Sequence, residues 1–292
     1  MIGKKLKRTI IAVLAIAVVV VFGITYGSKH FVVNEKTLYF ENLPAAFDGY
    51  RIVQFSDFHA ESFHRFGHED LVGKMVELIN AQNADAVCFT GDIVTRLSSE
   101  LEGFESVLSG IKARDGVFSI MGNHDYAMYN KGMSEMEKQA DVVALQKKEK
   151  SFGWKMLLNA NQIVKRGGQS IAIVGVENVG SFPHYPSRGN LPLALDGLDK
   201  NVFKVLLSHD PSHWKKEVLP RTDVQLTLSG HTHAGQIKMF GWSHAQWLYK
   251  EWSGIYEDKG RYLNVNEGVG CVILPFRLGA WPEINVITLK RK

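Results

Sequence analysis

Residues 51–59 read Arg51-Ile52-Val53-Gln54-Phe55-Ser56-Asp57-Phe58-His59, an apolar run that ends in a carboxylate and an imidazole. The run 51–55 is rich in β-branched and aromatic residues and predicts a strand. Four more strands are predicted in the same way, at 86–90, 117–121, 203–207 and 224–228. The polar segments that follow them are Gly91-Asp92, Gly122-Asn123-His124-Asp125, Ser208-His209-Asp210 and Gly230-His231-Thr232-His233. Because ligands of α/β sheets bind beyond the carboxyl ends of strands, we expect all five segments to meet in one crevice.

The side chains of these segments form a mixed set of metal donors. Two are carboxylates, one is an amide and four are imidazoles: Asp57, Asp92, Asn123, His59, His209, His231 and His233. Such a set, without thiolates, suits manganese, iron, zinc or cobalt better than calcium or a closed structural zinc site. Seven donors suffice for two ions if one carboxylate bridges them, and the order of the segments favours Asp92. Two ions roughly 3.5–4 Å apart can share a hydroxide and hold both ends of an in-line displacement.

The five segments, in this order, resemble the calcineurin-like metallophosphoesterases, whose pattern is D-x-H, G-D, G-N-H-[DE], H and G-H-x-H. The resemblance covers about Arg51 to Gln236. It implies an α/β fold in which two mixed β-sheets form a sandwich flanked by helices. It implies one metal ion on Asp57, His59, Asp92 and His233, and a second on Asp92, Asn123, His209 and His231. It also implies that His124 is the catalytic histidine.

The chemistry of phosphate esters explains what such a site would do. An anionic ester resists attack by another anion, so the site must neutralise the phosphoryl oxygens while it supplies hydroxide at neutral pH. We expect a metal-bridging hydroxide to attack a phosphodiester, a pyrophosphate or a phosphomonoester, with the diester favoured. As an imidazolium, His124 would stabilise the developing charge or protonate the leaving alkoxide.

The sequence departs from the family at one position. Many relatives carry an acidic residue shortly after the G-D segment, and that acid orients the catalytic histidine. Here Thr95 stands in its place. Asp125, the neighbour of His124, is an alternative orienting group.

The N-terminus predicts a membrane anchor. Lys4, Lys5, Lys7 and Arg8 precede an uncharged apolar stretch from Thr9 to Tyr26, which is about long enough to span a bilayer. A signal peptide has a shorter apolar core and an Ala-x-Ala-like cleavage site, and Thr25-Tyr26-Gly27-Ser28 is a poor one. We therefore expect residues 1–27 to be an uncleaved single-pass anchor and residues 28–292 to be the catalytic domain. Because basic residues stay in the cytoplasm, that domain should lie on the extracytoplasmic side of the cytoplasmic membrane.

Composition limits the partners. The chain has 34 basic and 30 acidic residues, a net charge of +4, and the four basic residues near the N-terminus account for this excess. The remaining domain is formally neutral, so no nucleic-acid partner is expected. Two cysteines, Cys88 and Cys271, do not define a disulfide framework.

The substrate residues are the least constrained part of the interpretation. His64 and Arg65 follow the first metal segment, while His184 and Arg188 lie in a stretch rich in Pro and Gly, and an arginine there could bind a phosphate. Trp242, Trp247 and Trp252 follow the last metal segment and could contact lipid headgroups or an acyl chain. Ordinary loop packing is the alternative for all of them.

Within the family, the chain looks most like the membrane-associated bacterial branch, which includes enzymes that hydrolyse UDP-2,3-diacylglucosamine. A lipid-linked or cell-envelope phosphate ester is therefore the expected substrate, although the predicted topology argues against that cytoplasmic reaction. Two alternative functions fit the residues less well. A metallo-β-lactamase-type hydrolase would need an H-x-H-x-D-H motif, which is missing. A membrane-tethered, non-catalytic metal-binding or scaffold protein would be expected to have lost ligands, and none is lost.

Overall fold

Two six-stranded sheets form the centre of the molecule in the computed structural model, which describes residues 3–180 and 185–292. The strands are β1 Val32–Phe40, β2 Arg51–Phe55, β3 Ala86–Phe89, β4 Gly116–Ser119, β5 Lys155–Met156, β6 Ala160–Arg166, β7 Gln169–Gly175, β8 Phe203–Leu207, β9 Leu226–Ser229, β10 Gly254–Asp258, β11 Arg261–Val265 and β12 Glu283–Arg291. The helices are α1 Lys4–Thr25, α2 Ala60–Arg65, α3 Asp70–Asn80, α4 Glu105–Leu108, α5 Glu135–Ser151, α6 Leu191–Ala194 and α7 Leu219–Arg221. The expected sandwich of two sheets with flanking helices is confirmed.

Both sheets are mixed. The first has the strand order β1-β12-β2-β3-β4-β5, with β2 to β5 parallel and β12 antiparallel to β2. The second has the order β10-β11-β9-β8-β7-β6, with β11, β9, β8 and β7 parallel. The parallel block extends to the edge strand β5 in the first sheet and lies in the middle of the second, so the carboxyl ends of β2, β3 and β4 meet along one edge of the first sheet. The carboxyl ends of β8 and β9 do the same in the second.

Alternation along the strands divides the core into layers. In β2, Ile52 faces the second sheet. It belongs to the same core cluster as Leu226 and Leu228 of β9 in that sheet. Its neighbours Val53 and Phe55 face the helices that cover the other side of the sheet. This period of two is what places one face of a strand between the sheets and the other under helices.

Local sequence patterns account for two of the helices and for one hairpin. In α3, Val72, Met75 and Ile79 are buried on one face, as the periodicity of the sequence requires. The helix α5 begins with a capping box between Ser134 and Glu137. The hairpin of β6 and β7 turns at Gly167-Gly168, where both φ angles are positive.

The apolar helix α1 is largely exposed. It lies within a stretch from Lys4 to Lys29 that is long and apolar enough to cross a membrane, and only 11% of its most apolar window is buried in the protein. Its last turn contacts the domain near Phe276 and Arg277, where the Arg277 amide donates to the Gly23 carbonyl at 3.2 Å. Cys88 and Cys271 are buried free thiols.

Candidate metal centre

The loops after β2, β3, β4, β8 and β9 bring the seven predicted donors together. Five of these donors have a left-handed backbone conformation: φ is +52° at Asp57, +47° at His59, +59° at Asp92, +75° at His231 and +50° at His233. Residues other than glycine rarely adopt such angles, and they persist only where the surrounding structure holds them. At each of these turns the extended chain of the strand ends at its donor residues.

Glycine is required between the strands and the donors. A Cβ atom added at Gly122 would lie 2.7 Å from the backbone nitrogen of Asp92 and would overlap its carboxylate. The loops that carry Asp92 and Asn123 can therefore approach each other only because residue 122 has no side chain.

The first donor group consists of Asp57, His59 and His233. The Nε2 atoms of His59 and His233 face each other at 3.1 Å, and the Oδ1 atom of Asp57 lies 3.2 Å from His233 Nε2. His59 and Asp57 are fully buried. A divalent ion with ligand distances of about 2.0–2.2 Å brings its donors to such separations from one another.

The second donor group consists of Asp92, His209 and His231. The Oδ2 atom of Asp92 lies 3.1 Å from His209 Nε2, and His231 Nδ1 lies 3.2 Å from the same nitrogen. Asp92 Oδ2 is also 3.8 Å from His59 Nε2 of the first group. Asp92 is thus the carboxylate that lies between the two groups.

Asn123 shows most directly that a cation fits this site. Its amide nitrogen donates to the Tyr129 hydroxyl at 2.9 Å, while its buried Oδ1 atom has no hydrogen-bond partner. A buried carbonyl oxygen without a partner is costly unless it binds an ion or water. The donor groups and this oxygen together fit two divalent ions.

Three of the four candidate ligand histidines are oriented through their other ring nitrogen, and the fourth, His233, has its Nδ1 atom 3.2 Å from the Arg277 guanidinium. His209 Nδ1 donates to the Thr90 carbonyl at 2.7 Å, His59 Nδ1 lies 3.4 Å from the Thr95 hydroxyl, and His231 Nε2 lies 2.6 Å from the Tyr249 hydroxyl. These contacts leave His209 Nε2, His59 Nε2 and His231 Nδ1 for metal. Such outer partners fix the ring and its tautomer in metalloproteins.

Residues 50–235 match the calcineurin-like phosphoesterase family. The chain belongs to this family. The resemblance inferred from the five segments is thereby confirmed.

Relatives of this phosphoesterase share most of its length. A metallophosphoesterase from Bacillus subtilis is 31% identical over 88% of this chain and 85% of its own. A transmembrane protein with a metallophosphoesterase domain from Danio rerio is 29% identical over 98% of this chain. The chain spans 63% of the length of that vertebrate relative. The solved structure of a dimetal phosphatase from Danio rerio aligns over 76% of this chain and 88% of its own, with 14% identity and a TM-score of 0.44.

The electrostatics of the phosphoesterase site match its donor roles. Burial acts to raise the pKa of Asp57, but neighbouring histidines, His233 foremost, lower it well below its usual range. Despite burial, His209 and other histidines lower the pKa of Asp92. Burial is the main cause of the lowered pKa of His59, which favours the neutral ring that a metal needs. Burial also opposes protonation of His209, but Asp92 raises its pKa to about 10, so a metal must displace a proton there.

The predicted catalytic histidine lines the cavity beside the two donor groups. His124 Nδ1 donates to the Thr95 backbone carbonyl at 2.7 Å and its ring stacks on Tyr129, with centroids 4.2 Å apart. The contact leaves His124 Nε2 as the atom available to a substrate. A backbone carbonyl therefore takes the place of the acidic residue that many relatives carry.

Asp125 is not the orienting group. Its Oδ2 atom accepts from the amides of Asp92 and Gly122 at 2.8 Å each, and its Oδ1 atom accepts from Ile93 and Val94 at 2.9 and 3.2 Å. Asp125 therefore ties the G-D loop to the G-N-H loop. Adjacent side chains diverge here, so proximity in sequence gave the wrong role.

A cavity of about 430 Å³ opens over the donors. Asp92, Asn123, His231 and His233 line its floor, while Leu248, Val272, Ile273, Leu274 and Phe276 line its side. Tyr129, Tyr185 and Tyr249 complete the polar part of the wall. The sequence predicts Tyr249 only as one of several aromatic residues that could contact lipid, and nothing in the local pattern of Tyr129 and Tyr185 separates them from loop tyrosines.

The predicted substrate residues are dispersed. His64 stacks on Phe104 with centroids 4.2 Å apart, and its Nε2 atom contacts the Glu100 carbonyl, outside the cavity. Arg188 lies over the Tyr126 ring at 4.8 Å and is also outside the lining. Arg65 lines an adjoining cavity of about 480 Å³ that also includes His124 and Tyr129. His184 lies outside the described residues.

Proposed function

We propose that this phosphoesterase is a membrane-anchored hydrolase that uses two divalent metal ions, Mn, Fe, Zn or Co. It cleaves a phosphodiester, a pyrophosphate or a phosphomonoester, with diesters preferred, in a lipid or cell-envelope substrate. The unpartnered, buried Oδ1 atom of Asn123 carries the proposal, because it points to a cation in the donor cluster. The family gives phosphoester hydrolysis as the reaction class.

The first ion would be bound by Asp57, His59, Asp92 and His233, and the second by Asp92, Asn123, His209 and His231. When bound, two such ions neutralise phosphoryl oxygens and lower the pKa of a shared water so that hydroxide can attack phosphorus in line. The chain supplies the geometry: the left-handed turns, the glycine at 122 and the outer partners of the histidines fix the donors before the substrate arrives.

His124 would act on the leaving group. Its Nδ1–H is held by the Thr95 carbonyl, so a proton on Nε2 faces the cavity. A protonated Nε2 can donate to the departing alkoxide, which typically accelerates such a step by about 10²–10⁴-fold. The hydroxyl of Tyr129, which lines the same wall, is a further donor for a non-bridging phosphoryl oxygen.

The anchor determines where the substrate is found. We propose that residues 1–27 cross the cytoplasmic membrane once and that residues 28–292 form the catalytic domain on the extracytoplasmic side. The basic residues at the N-terminus support this direction. A topology reporter fused after Lys292 tests it: activity of a periplasmic reporter is expected, and activity of a cytoplasmic reporter would reverse the assignment.

A membrane-tethered, non-catalytic metal-binding or scaffold protein is the alternative. Such a protein needs neither an open cavity above the donors nor a histidine whose Nε2 is free beside them. Both features are present, so hydrolysis is favoured.

The experiment uses the full chain in detergent, loaded with Mn²⁺, beside its Asp92→Asn variant. We expect hydrolysis of bis-p-nitrophenyl phosphate in excess of p-nitrophenyl phosphate, and a loss of at least 10²-fold in the variant. Asp141→Asn is the matched control, since Asp141 is a half-buried acceptor for Ser98. Two bound metal ions without turnover of either ester would favour the scaffold alternative.

A further inference from the structure

An exposed apolar rim adjoins the metal cavity, whose wall includes three of its side chains. We define the rim by its side chains on two loops: Met239, Phe240, Trp242, Trp247, Leu248, Ile273 and Leu274. Among the described residues beyond Tyr26, these are seven of the twelve large apolar side chains that are exposed. Phe240 is fully exposed, and Ile273 and Trp247 are 78% and 75% exposed. Exposed apolar residues concentrated in this way indicate an interaction surface.

The two loops of the rim are neighbours. The Lys238 amide donates to the Leu278 carbonyl at 2.8 Å, and Ile237 forms a β-bridge with Leu278. The Gln236 side chain accepts from the Val272 amide at 2.6 Å and donates to the Phe276 carbonyl at 2.8 Å. The rim is therefore braced by hydrogen bonds and presents its apolar side chains outward from a fixed frame.

The same frame receives the end of the apolar helix α1. A Cβ atom added at Gly23 would overlap the ring of Phe276, so the helix and this ring are in close contact. Phe22 and Tyr26 of α1 contact the ring of Trp281 edge-on, with centroids 6.2 Å apart in both pairs. The helix thus meets the domain two to three residues along the chain from Ile273 and Leu274.

This continuity identifies the occupant of the rim. A bilayer crossed by α1 begins where the helix leaves the domain, and the rim begins at the same place. Tyr26, Trp242, Trp247 and Trp281 are the residue types that concentrate at the membrane–water interface. A protein partner would not explain why the exposed apolar surface adjoins the membrane-crossing helix.

The position of the cavity gives the consequence for the substrate. Leu248, Ile273 and Leu274 belong both to the rim and to the wall of the cavity whose floor holds His231 and His233. A molecule in the bilayer could leave its apolar chain against this wall while its headgroup reaches the donors. A small soluble ester would make no use of the wall.

We propose that the apolar side chains of the rim insert below the lipid headgroups, at the boundary with the acyl chains, and that the site takes the phosphoester headgroup of a single-chain or multi-chain amphiphile directly from the bilayer. The docking part stands on α1 and the rim alone, whereas the substrate part rests on the proposed function.

Docking is tested by spin labelling of the full chain in nanodiscs of phosphatidylethanolamine and phosphatidylglycerol. A nitroxide is attached at Phe240→Cys, and at Met136→Cys as a control, because Met136 is 81% exposed outside the rim. The native cysteines are buried and do not compete for the label. We expect the label at 240 to be accessible to oxygen and shielded from a soluble nickel chelate, and the label at 136 to show the reverse. The proposal is overturned if the nickel chelate reaches the label at 240. It is also overturned if protein shields this label from both reagents.

The substrate class is tested with two p-nitrophenyl phosphodiesters that share a leaving group. One carries a hexadecyl chain and enters the nanodisc, and the other carries an ethyl group and stays in water. We expect at least a tenfold higher kcat/KM for the hexadecyl ester. The Phe240→Ser/Trp247→Ser variant should lose this preference and keep hydrolysis of the ethyl ester, because neither residue lines the cavity.

Equal kcat/KM values for the two esters in the unmodified chain would overturn the substrate part. If neither ester is hydrolysed, the proposed function fails, and the spin-label result still decides whether the rim meets the bilayer.

Discussion

Replacement of Asp125 by asparagine tests how the two central loops are held together. The fully buried carboxylate accepts four backbone N–H groups, two on each oxygen. An asparagine keeps the shape but offers one acceptor atom, so two amides lose their partner and face an NH₂ group. Each buried donor without an acceptor costs about 1–3 kcal/mol, which gives roughly 4 kcal/mol for the pair.

This loss is large beside the ~5–15 kcal/mol by which domains are usually stable. At roughly 2–4 °C per kcal/mol, the metal-free protein should unfold about 8–16 °C lower. Thermal unfolding of the full chain in detergent with EDTA measures this shift in Tm. The control is Asp141→Asn, which disturbs only the contact with Ser98 and should lower Tm by no more than a few degrees.

An unchanged Tm for Asp125→Asn would show that an ionised carboxylate does not hold the two loops together. Burial and the nearby Asp92 raise the pKa of Asp125 to about 8, while the amides of Gly122 and Val94 lower it. Four N–H donors need four lone pairs, which only the ionised group offers on both oxygens, so Tm is measured above pH 8, where Asp125 is ionised. If Asp125 were a neutral acid, its replacement by asparagine would leave Tm nearly unchanged. The variant therefore distinguishes the ionised from the neutral side chain.

Three further predictions concern the metal donors. Tyr249→Phe removes the hydroxyl that lies 2.6 Å from His231 Nε2, so the affinity for the second Mn²⁺ ion should fall by roughly 10–100-fold in a titration. An unchanged affinity would show that Tyr249 does not orient His231. Gly122→Ala should keep the circular dichroism of the fold but lose metal binding, because its Cβ displaces Asp92; tight binding by this variant would contradict the loop geometry. Because the metal-free pKa of His209 is about 10, apparent affinity should rise by up to about tenfold per pH unit between pH 6 and 8, and competition with a chelator that gave a flat profile would contradict it.

The sequence carries most of the information about the sheets and the donors. Each donor segment directly follows a β-branched or aromatic run, and such runs became β2, β3, β4, β8 and β9 within two residues of the expected bounds. Because parallel strands end along a common edge, knowledge of the strands was enough to predict that Asp57, Asp92 and the histidines converge. The segment Asp70–Asn80 likewise forms α3, since its apolar period of 3.6 residues has no competing pattern.

The groups that surround the donors could not be predicted in the same way. The partner of His124 is the backbone carbonyl of Thr95. Every residue has such a carbonyl, so the sequence does not indicate which one contacts the histidine. Tyr129 and Tyr249 reach the site from loops, where spacing gives no direction to a side chain. His64 was expected near a substrate only because it follows His59, but α2 turns it toward Phe104. Proximity in sequence to a metal donor does not predict the direction of a side chain once a helix begins between the two residues.

The proposed chemistry requires two metal ions in one shared site. Titration of the metal-free full chain with Mn²⁺, followed by electron paramagnetic resonance, measures the number of ions and the coupling between them. We expect two equivalents per chain and a spin-coupled signal from ions roughly 3.5–4 Å apart, and we expect Asp92→Asn to abolish the coupling. A single equivalent with the spectrum of an isolated Mn²⁺ ion, or no binding at all, would contradict this expectation.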